Sequence, residues 1–233
     1  MMSHNPIFPI RPPVLAEIAD STQTFPINRI FCVGRNYLAH ASEMGVTVDK
    51  KTQEPFYFLK EARSYVPSGA AIAYPPQTTN YHHEMELVVA IGQAGFEVSE
   101  EQAESLIYGY ACGLDMTRRD LQLKARESGR PWDLGKNFEE SSILSPIVPK
   151  RKTGVINSGK IELTVNGKTT QSSDLSLLIW NVREIIEHLS KFYHLQPGDL
   201  IYTGTPEGVG PVVRGDVLNG YIESVGDISL TIQ

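Results

Sequence analysis

The chain has 233 residues, 41% of them hydrophobic and 21% charged, with a formal net charge of −6. This is the composition of a globular protein with one large domain or two small ones and a substantial core. It excludes a broad nucleic-acid surface, which needs excess Lys and Arg, and no apolar run approaches the ~20 residues that span a bilayer.

The first residues read as lacking the basic start and apolar centre of a signal peptide. Cys32 and Cys112 have neither disulfide-framework nor metal-ligand spacing, so they read as buried thiols in a reduced cytoplasm. Residues 1–25 are Pro-rich and read as an N-terminal arm with one edge strand, followed by a single domain over 26–233. Residues 29–34 form a short apolar strand closed by Gly34. Residues 35–45 then suit a helix of two or three turns, with Asn36 as cap and Gly45 as stop.

On that helix His40 and Glu43 lie three apart and face the same way. A carboxylate beside an imidazole fixes its tautomer and raises its basicity, which suits a base that activates water. An exposed His and Glu on a mobile surface helix is the alternative. Residues 46–54 are a polar loop, and helix and loop together could close over a site as a lid. Residues 55–60 return to strand character, with Lys60 facing either the cavity or the solvent.

Residues 84–91 read as a strand in which Met85, Leu87, Val89 and Ile91 form one alternating set. Glu84 and Glu86 share a face, roughly 6.6 Å apart along the strand. Two such carboxylates repel unless a cation or a proton lies between them. Mg²⁺ or another hard divalent ion fits that gap, whereas an ordinary solvent-facing strand would need no ion.

Ser99 opens a helix with a capping-box-like start. The small-residue strand 109–115 ends in Asp115, either a third carboxylate or the cap of a helix over 116–127. Arg119 and Gln122, three apart on that helix, can face one pocket. Around Trp132 and Phe138 an apolar wall is expected, with Lys136 projecting inward to bind an anion or shift protons. A surface lysine packed on Trp132 is the alternative. Residues 161–170 are a hairpin turning at Asn166-Gly167, and 177–192 carry a helical apolar stripe through Leu178, Val182, Ile185, Ile186 and Leu189. A strand at 200–203 enters a glycine-rich loop through Thr205, whose N–H groups and hydroxyls can meet a carboxylate. The loop has no dinucleotide or P-loop fingerprint. The class is mixed α/β and β-rich.

Five ordered motifs give this chain its likeness. They are Gly34-Arg35-Asn36-Tyr37 with His40 and Glu43; His83-Glu84-Met85-Glu86-Leu87; Gly113-Leu114-Asp115-Met116-Thr117-Arg118-Arg119-Asp120; Trp132 with Lys136; and Tyr202-Thr203-Gly204-Thr205-Pro206-Glu207-Gly208-Val209-Gly210. With these the chain resembles the fumarylacetoacetate hydrolase family over nearly its whole length. The stretch 25–37 looks most like the bacterial branch that hydrolyses acylpyruvates such as fumarylpyruvate.

The resemblance implies a β-roll with peripheral helices and a lid helix, usually as a homodimer. It implies Glu84, Glu86 and Asp115 as ligands of one Mg²⁺ or Mn²⁺, and His40 with Glu43 as the water-activating pair. It further implies Lys136 as the lysine beside the metal, and Arg119, Gln122, Thr205 and Lys60 as substrate contacts. The chain departs from the family at Lys60-Glu61, where lysine is commonly followed by proline. The reaction implied is metal-dependent C–C hydrolysis of a small keto acid, fumarylpyruvate giving fumarate and pyruvate. Decarboxylation or keto–enol tautomerisation of a β-keto acid such as oxaloacetate is the alternative, because it draws on the same enolate. A non-catalytic binding protein with this fold would be expected to lose the dyad, the lysine or a carboxylate, and this chain retains them all.

Overall fold

The computed structural model describes residues 6–233, which contain eighteen strands and six α-helices. The chain begins with β1 (Val14–Glu17), β2 (Thr24–Ile27), β3 (Ile30–Val33), α1 (Leu38–Glu43), β4 (Tyr57–Lys60), β5 (Tyr65–Pro67) and β6 (Ala70–Ile72). It continues with β7 (Tyr81–His83), β8 (Met85–Ile91), α2 (Glu100–Leu106), β9 (Ile107–Asp115) and β10 (Thr117–Arg118). Next come α3 (Arg119–Glu127), α4 (Asp133–Lys136), β11 (Ser142–Leu144), β12 (Val148–Pro149) and α5 (Lys150–Thr153). The last elements are β13 (Lys160–Val165), β14 (Lys168–Asp174), α6 (Val182–Ser190), β15 (Leu200–Tyr202), β16 (Gly210–Val212), β17 (Val217–Ile222) and β18 (Gly226–Ile232). The protein is mixed α/β and sheet-rich. No helix among the described residues is long and apolar enough to cross a membrane.

The largest sheet runs β4-β3-β15-β8-β9-β11-β5, with β12 added to β9. A second sheet runs β14-β13-β17-β18-β6, and a small one, β10-β7-β16, lies beside the end of β8. Every residue of β8 is buried, so both faces of this strand are covered. Met85, Leu87, Val89 and Ile91 enter the larger core, with side chains of the second sheet and of α6. Val88 and Ala90 enter a smaller core with Phe25, Ile27, Cys32, Ala111 and Tyr202. Glu86 belongs to this second alternating set. Strand periodicity thus explains how one element supplies apolar groups to two cores and a carboxylate to a site.

The arm holds a hairpin where one edge strand was expected. β1 and β2 pair antiparallel from Val14↔Ile27 to Glu17↔Thr24, and Ala16, Ile18, Phe25 and Ile27 close the smaller core. A boundary at residue 25 therefore cuts through β2.

The apolar stripe over 177–192 becomes helix only from Val182. Asn181 stops it there by a capping box: its side chain accepts the Arg183 and Glu184 N–H groups, and the Glu184 carboxylate accepts the Asn181 N–H. The expected cap at Ser99 and the Asn166-Gly167 turn are both present, the turn with φ of 51° and 77°. α1 departs from expectation, because Asn36 does not cap it. The Asn36 side chain is buried and instead ties Trp180 to Thr203, donating to both carbonyls and accepting the Trp180 N–H.

Candidate active site

The ends of β8 and β9 bring Glu84, Glu86 and Asp115 together, one carboxylate oxygen of each within 4.8 Å of the others. Their residues are 6%, 1% and 0% exposed, which overturns the solvent-facing strand as an explanation. Asp115 does not cap a helix either, since α3 starts at Arg119 with Arg118 in the cap position. The Asp115 N–H donates to the Glu84 carbonyl and fixes the two strand ends.

Two glycines make this convergence possible. Gly113 lies opposite Glu86, and a Cβ there would come within 2.4 Å of Val88 Cγ2 and 2.6 Å of Tyr202 Cε1. Gly204 has a φ of +96°, and a Cβ would come within 2.7 Å of Asn36 Cβ. Its N–H donates to Glu86 Oε2 at 2.7 Å.

Cations surround two of the three acids. Lys136 is 2% exposed, so the surface-lysine alternative fails. Its Nζ donates to Glu84 Oε2 at 2.8 Å, Asp115 Oδ2 at 2.6 Å and Thr117 Oγ1 at 2.7 Å, which uses all three ammonium donors. Arg119 donates to Glu84 Oε1 and to Gln122 Oε1, and its Nε–H lies 3.4 Å from His82 Nδ1. Burial opposes charge on both partners, but Lys136 and Arg119 hold Glu84 below the usual carboxylate range, and Asp115 and Glu84 hold Lys136 above the usual amine range.

Lys60 corrects an expectation. It was expected to contact substrate, yet its ammonium is buried behind Asp115. Its three N–H groups are shared among the carbonyls of Met116, Lys136 and Ser141 and the Ser141 Oγ. The departure at Glu61 has a local use, because the Glu61 N–H donates to Asn137 Oδ1 at 2.7 Å, which a proline could not do.

The donor set fits a hard divalent cation. Lys60 Nζ is 2.9 Å from Asp115 Oδ1, but at an angle that leaves this buried oxygen without a hydrogen bond. Glu86 has no ion-pair partner among the described residues. Burial, then Asp115 and Glu84, push its pKa well above the ordinary carboxylate range. Glu84, Glu86 and Asp115 would hold such a cation, which would satisfy the Asp115 oxygen and take the place of the proton that Glu86 otherwise keeps.

α1 covers this trio. His40 is buried, with Nδ1 3.3 Å from Glu43 Oε2, and Glu43 also accepts the Gly208 N–H at 3.2 Å. Burial lowers the His40 pKa more than Glu84 and Glu43 raise it, so the ring is neutral near pH 7. His40 is therefore a packed side chain, while Glu43 reaches it from the exposed side of α1. Beneath it lies a chamber of only about 20 Å³, bounded by His40, Glu84, Arg119, Gln122, Arg126 and Trp132 among others. That is room for about one water, so a keto acid enters only when the walls of the chamber part.

Sequence reasoning missed two supporting side chains. Gln171, on β14, donates to Thr205 Oγ1 at 2.8 Å and accepts the Met85 N–H at 3.0 Å, so it orients Thr205 and anchors β8. His82 donates from Nε2 to Asn80 Oδ1 at 2.8 Å, which leaves Nδ1 to accept from Arg119. The glycine-rich loop does offer N–H groups to carboxylates, but those that it meets are the protein's own Glu86 and Glu43.

The family described as fumarylacetoacetate (FAA) hydrolase C-terminal matches residues 29–233. The chain belongs to the fumarylacetoacetate hydrolase family. It is 63% identical over 189 residues to a fumarylpyruvate hydrolase of Ralstonia sp, covering 81% of this chain and 98% of that relative. It is 42% identical over 204 residues to a mitochondrial oxaloacetate tautomerase of Homo sapiens, covering 88% and 90% of the two chains. The crystal structure of fumarylpyruvate hydrolase from Pseudomonas aeruginosa, in complex with Mn²⁺ and pyruvate, matches with a TM-score of 0.94 at 49% identity. The match covers 98% of this chain and 99% of that one. The family fold expected from the motifs is the fold observed.

Proposed function

We propose that this protein is a divalent-metal-dependent acylpyruvate hydrolase that cleaves fumarylpyruvate to fumarate and pyruvate. The observation that carries this reading is the closure of His40 over the three buried carboxylates. Decarboxylation needs no attacking water, so a water-activating pair would be dispensable for it. Identity of 63% to a fumarylpyruvate hydrolase supports the choice of substrate.

Glu84, Glu86 and Asp115 hold the cation. When bound, it supplies Lewis-acid polarisation of the 2-oxo acid end and positive charge against the enolate that forms on cleavage. Arg119, through its remaining N–H groups, Gln122 and Thr205 bind and orient the pyruvoyl end. His40, with Nδ1 turned to Glu43, takes a proton from water at Nε2, and the resulting hydroxide attacks the distal acyl carbonyl. The C–C bond breaks with its electron pair passing to the pyruvate carbon. Lys136 adds a fixed positive charge beside that developing enolate. Return of a proton to carbon completes pyruvate, and the acyl half leaves as fumarate.

Tautomerisation of oxaloacetate is the second reading, favoured by identity of 42% to the human tautomerase. The proposal extends to a reduced cytoplasm, supported by two buried free thiols, and to a homodimer acting in aromatic breakdown, which the family resemblance implies. The test is loss of ultraviolet enol absorbance with fumarylpyruvate and with oxaloacetate in parallel, each with Mn²⁺ and with chelator. Metal-dependent turnover of fumarylpyruvate well above that of oxaloacetate is expected. The reverse order would favour the tautomerase.

A further inference from the structure

Three arginines line the closed chamber, and only one of them is occupied. Arg119 directs donors to His82, Gln122 and Glu84. Arg35 and Arg126 border the same chamber, yet among the described residues neither guanidinium has an ion-pair partner. Each is half-buried. A guanidinium carries five N–H donors and stays charged in proteins, so two such groups facing one space call for an anion. Burial and the Arg126 charge both press on Arg35, with no acid offsetting them.

The placement of these two groups gives the chamber a direction. Arg119, Gln122 and Arg126 lie on one face of α3, at spacings of three and four residues. Along the helix axis Arg126 is about 10 Å from Arg119, which sits against the carboxylate trio. Arg35 approaches from the other wall, with its guanidinium stacked 5.1 Å from the Phe56 ring centroid, which fixes its stem. Arg35 also borders the outer aromatic groove of about 520 Å³ formed with Phe56, Phe58 and Trp132. Arg35 thus stands between the chamber and the outer groove, and Arg126 lies about two helical turns along α3 from the arginine that holds Glu84.

We propose that Arg35 and Arg126 form the subsite for a second, distal carboxylate, and so select acylpyruvates whose acyl group itself ends in a carboxylate. This inference deepens the proposed function and rests on it. With Arg119 committed to Glu84 and Gln122, the two unpaired arginines suit a keto acid that carries a second carboxylate beyond its pyruvoyl end.

The test compares fumarylpyruvate with acetylpyruvate, which shares the pyruvoyl end but lacks the distal carboxylate, using Mn²⁺-loaded enzyme. In Arg35→Gln and in Arg126→Gln, the ratio of kcat/KM for fumarylpyruvate over acetylpyruvate falls at least about tenfold, chiefly through KM, as expected for a lost charge-assisted contact. Arg35→Lys recovers part of the loss. An unchanged ratio in folded variants would overturn the subsite. If the wild-type protein cleaves neither compound, the hydrolase reading itself fails, and the subsite is judged by calorimetry with fumarate and crotonate, which differ by one carboxylate. Wild-type protein then binds fumarate at least about tenfold more tightly, and equal affinity would overturn the proposal. The same pair of ligands on wild-type protein decides the matter should the variants not fold.

Discussion

Glu43 holds His40 from one side, its Oε2 lying 3.3 Å from Nδ1, while the same carboxylate accepts the Gly208 N–H. The base and the latch that closes α1 against the loop after β15 thus share one side chain. His40→Ala is expected to lower kcat by about 10²–10⁴-fold, the range for removing a general base, with Mn²⁺ affinity nearly intact. Glu43→Gln retains a hydrogen bond but no charge, so its loss in kcat should be smaller. Steady-state kinetics beside Mn²⁺ titrations check both, and loss of metal binding in His40→Ala would count against the assignment.

The burial of His40 also fixes the sign of the pH dependence. The neutral ring is the active form, and burial lowers its pKa below the ordinary value of 6.5. A bound cation acts in the same direction. The acid limb of kcat/KM should therefore rise with pH and level off before the ordinary histidine range is passed. An acid limb centred above that range would mean that another group governs the step.

Metal affinity has its own pH signature. Glu86 keeps its proton to higher pH than an ordinary carboxyl, because burial, Asp115 and Glu84 all disfavour its charge. Mn²⁺ must displace that proton, so its affinity rises with pH through and above the ordinary carboxylate range. Glu86→Gln should remove that dependence and most of the affinity together. Calorimetric titrations at several pH values measure both effects.

Lys60 and Lys136 are predicted to differ in kind. Lys60 is sequestered behind Asp115, so Lys60→Met should cost about 1–3 kcal/mol of stability, the usual result of leaving buried acceptors without their donor, here the Met116 and Ser141 carbonyls. Denaturant midpoints measure this. Lys136→Met should in addition lower kcat in whatever protein remains folded, since its ammonium holds Glu84, Asp115 and Thr117 together.

Much of this site could be read from local spacing, because a strand repeats every two residues and a helix about every four. Glu84 with Glu86, His40 with Glu43, and Arg119 with Gln122 are all pairs of this kind, and the structure places each pair together. What spacing does not carry is the tertiary setting. Nothing around Lys60 distinguishes a cavity-facing amine from one enclosed by Met116, Lys136 and Ser141 carbonyls. Gln171 reaches Thr205 from the edge strand of the second sheet, a contact 34 residues apart in the chain. The start of α6 was hidden differently: Leu178 fits the apolar stripe, but Asn181 and Glu184 form a cap whose local chemistry outweighs that continuity. The arm hid its second strand because Thr24–Ile27 contains a proline, which a strand tolerates at an edge.

C–C hydrolysis by this site needs both a metal on Glu84, Glu86 and Asp115 and a water activated by His40. The most direct measurement follows fumarylpyruvate in Mn²⁺-loaded wild-type protein and in His40→Ala, quantifying pyruvate and fumarate as the enol absorbance falls. Expected are equal amounts of both products from the wild-type protein, none above background after chelation, and release of both slowed by about 10²–10⁴-fold in His40→Ala at full metal loading. Loss of absorbance without fumarate release, or equal turnover by His40→Ala, would contradict that requirement.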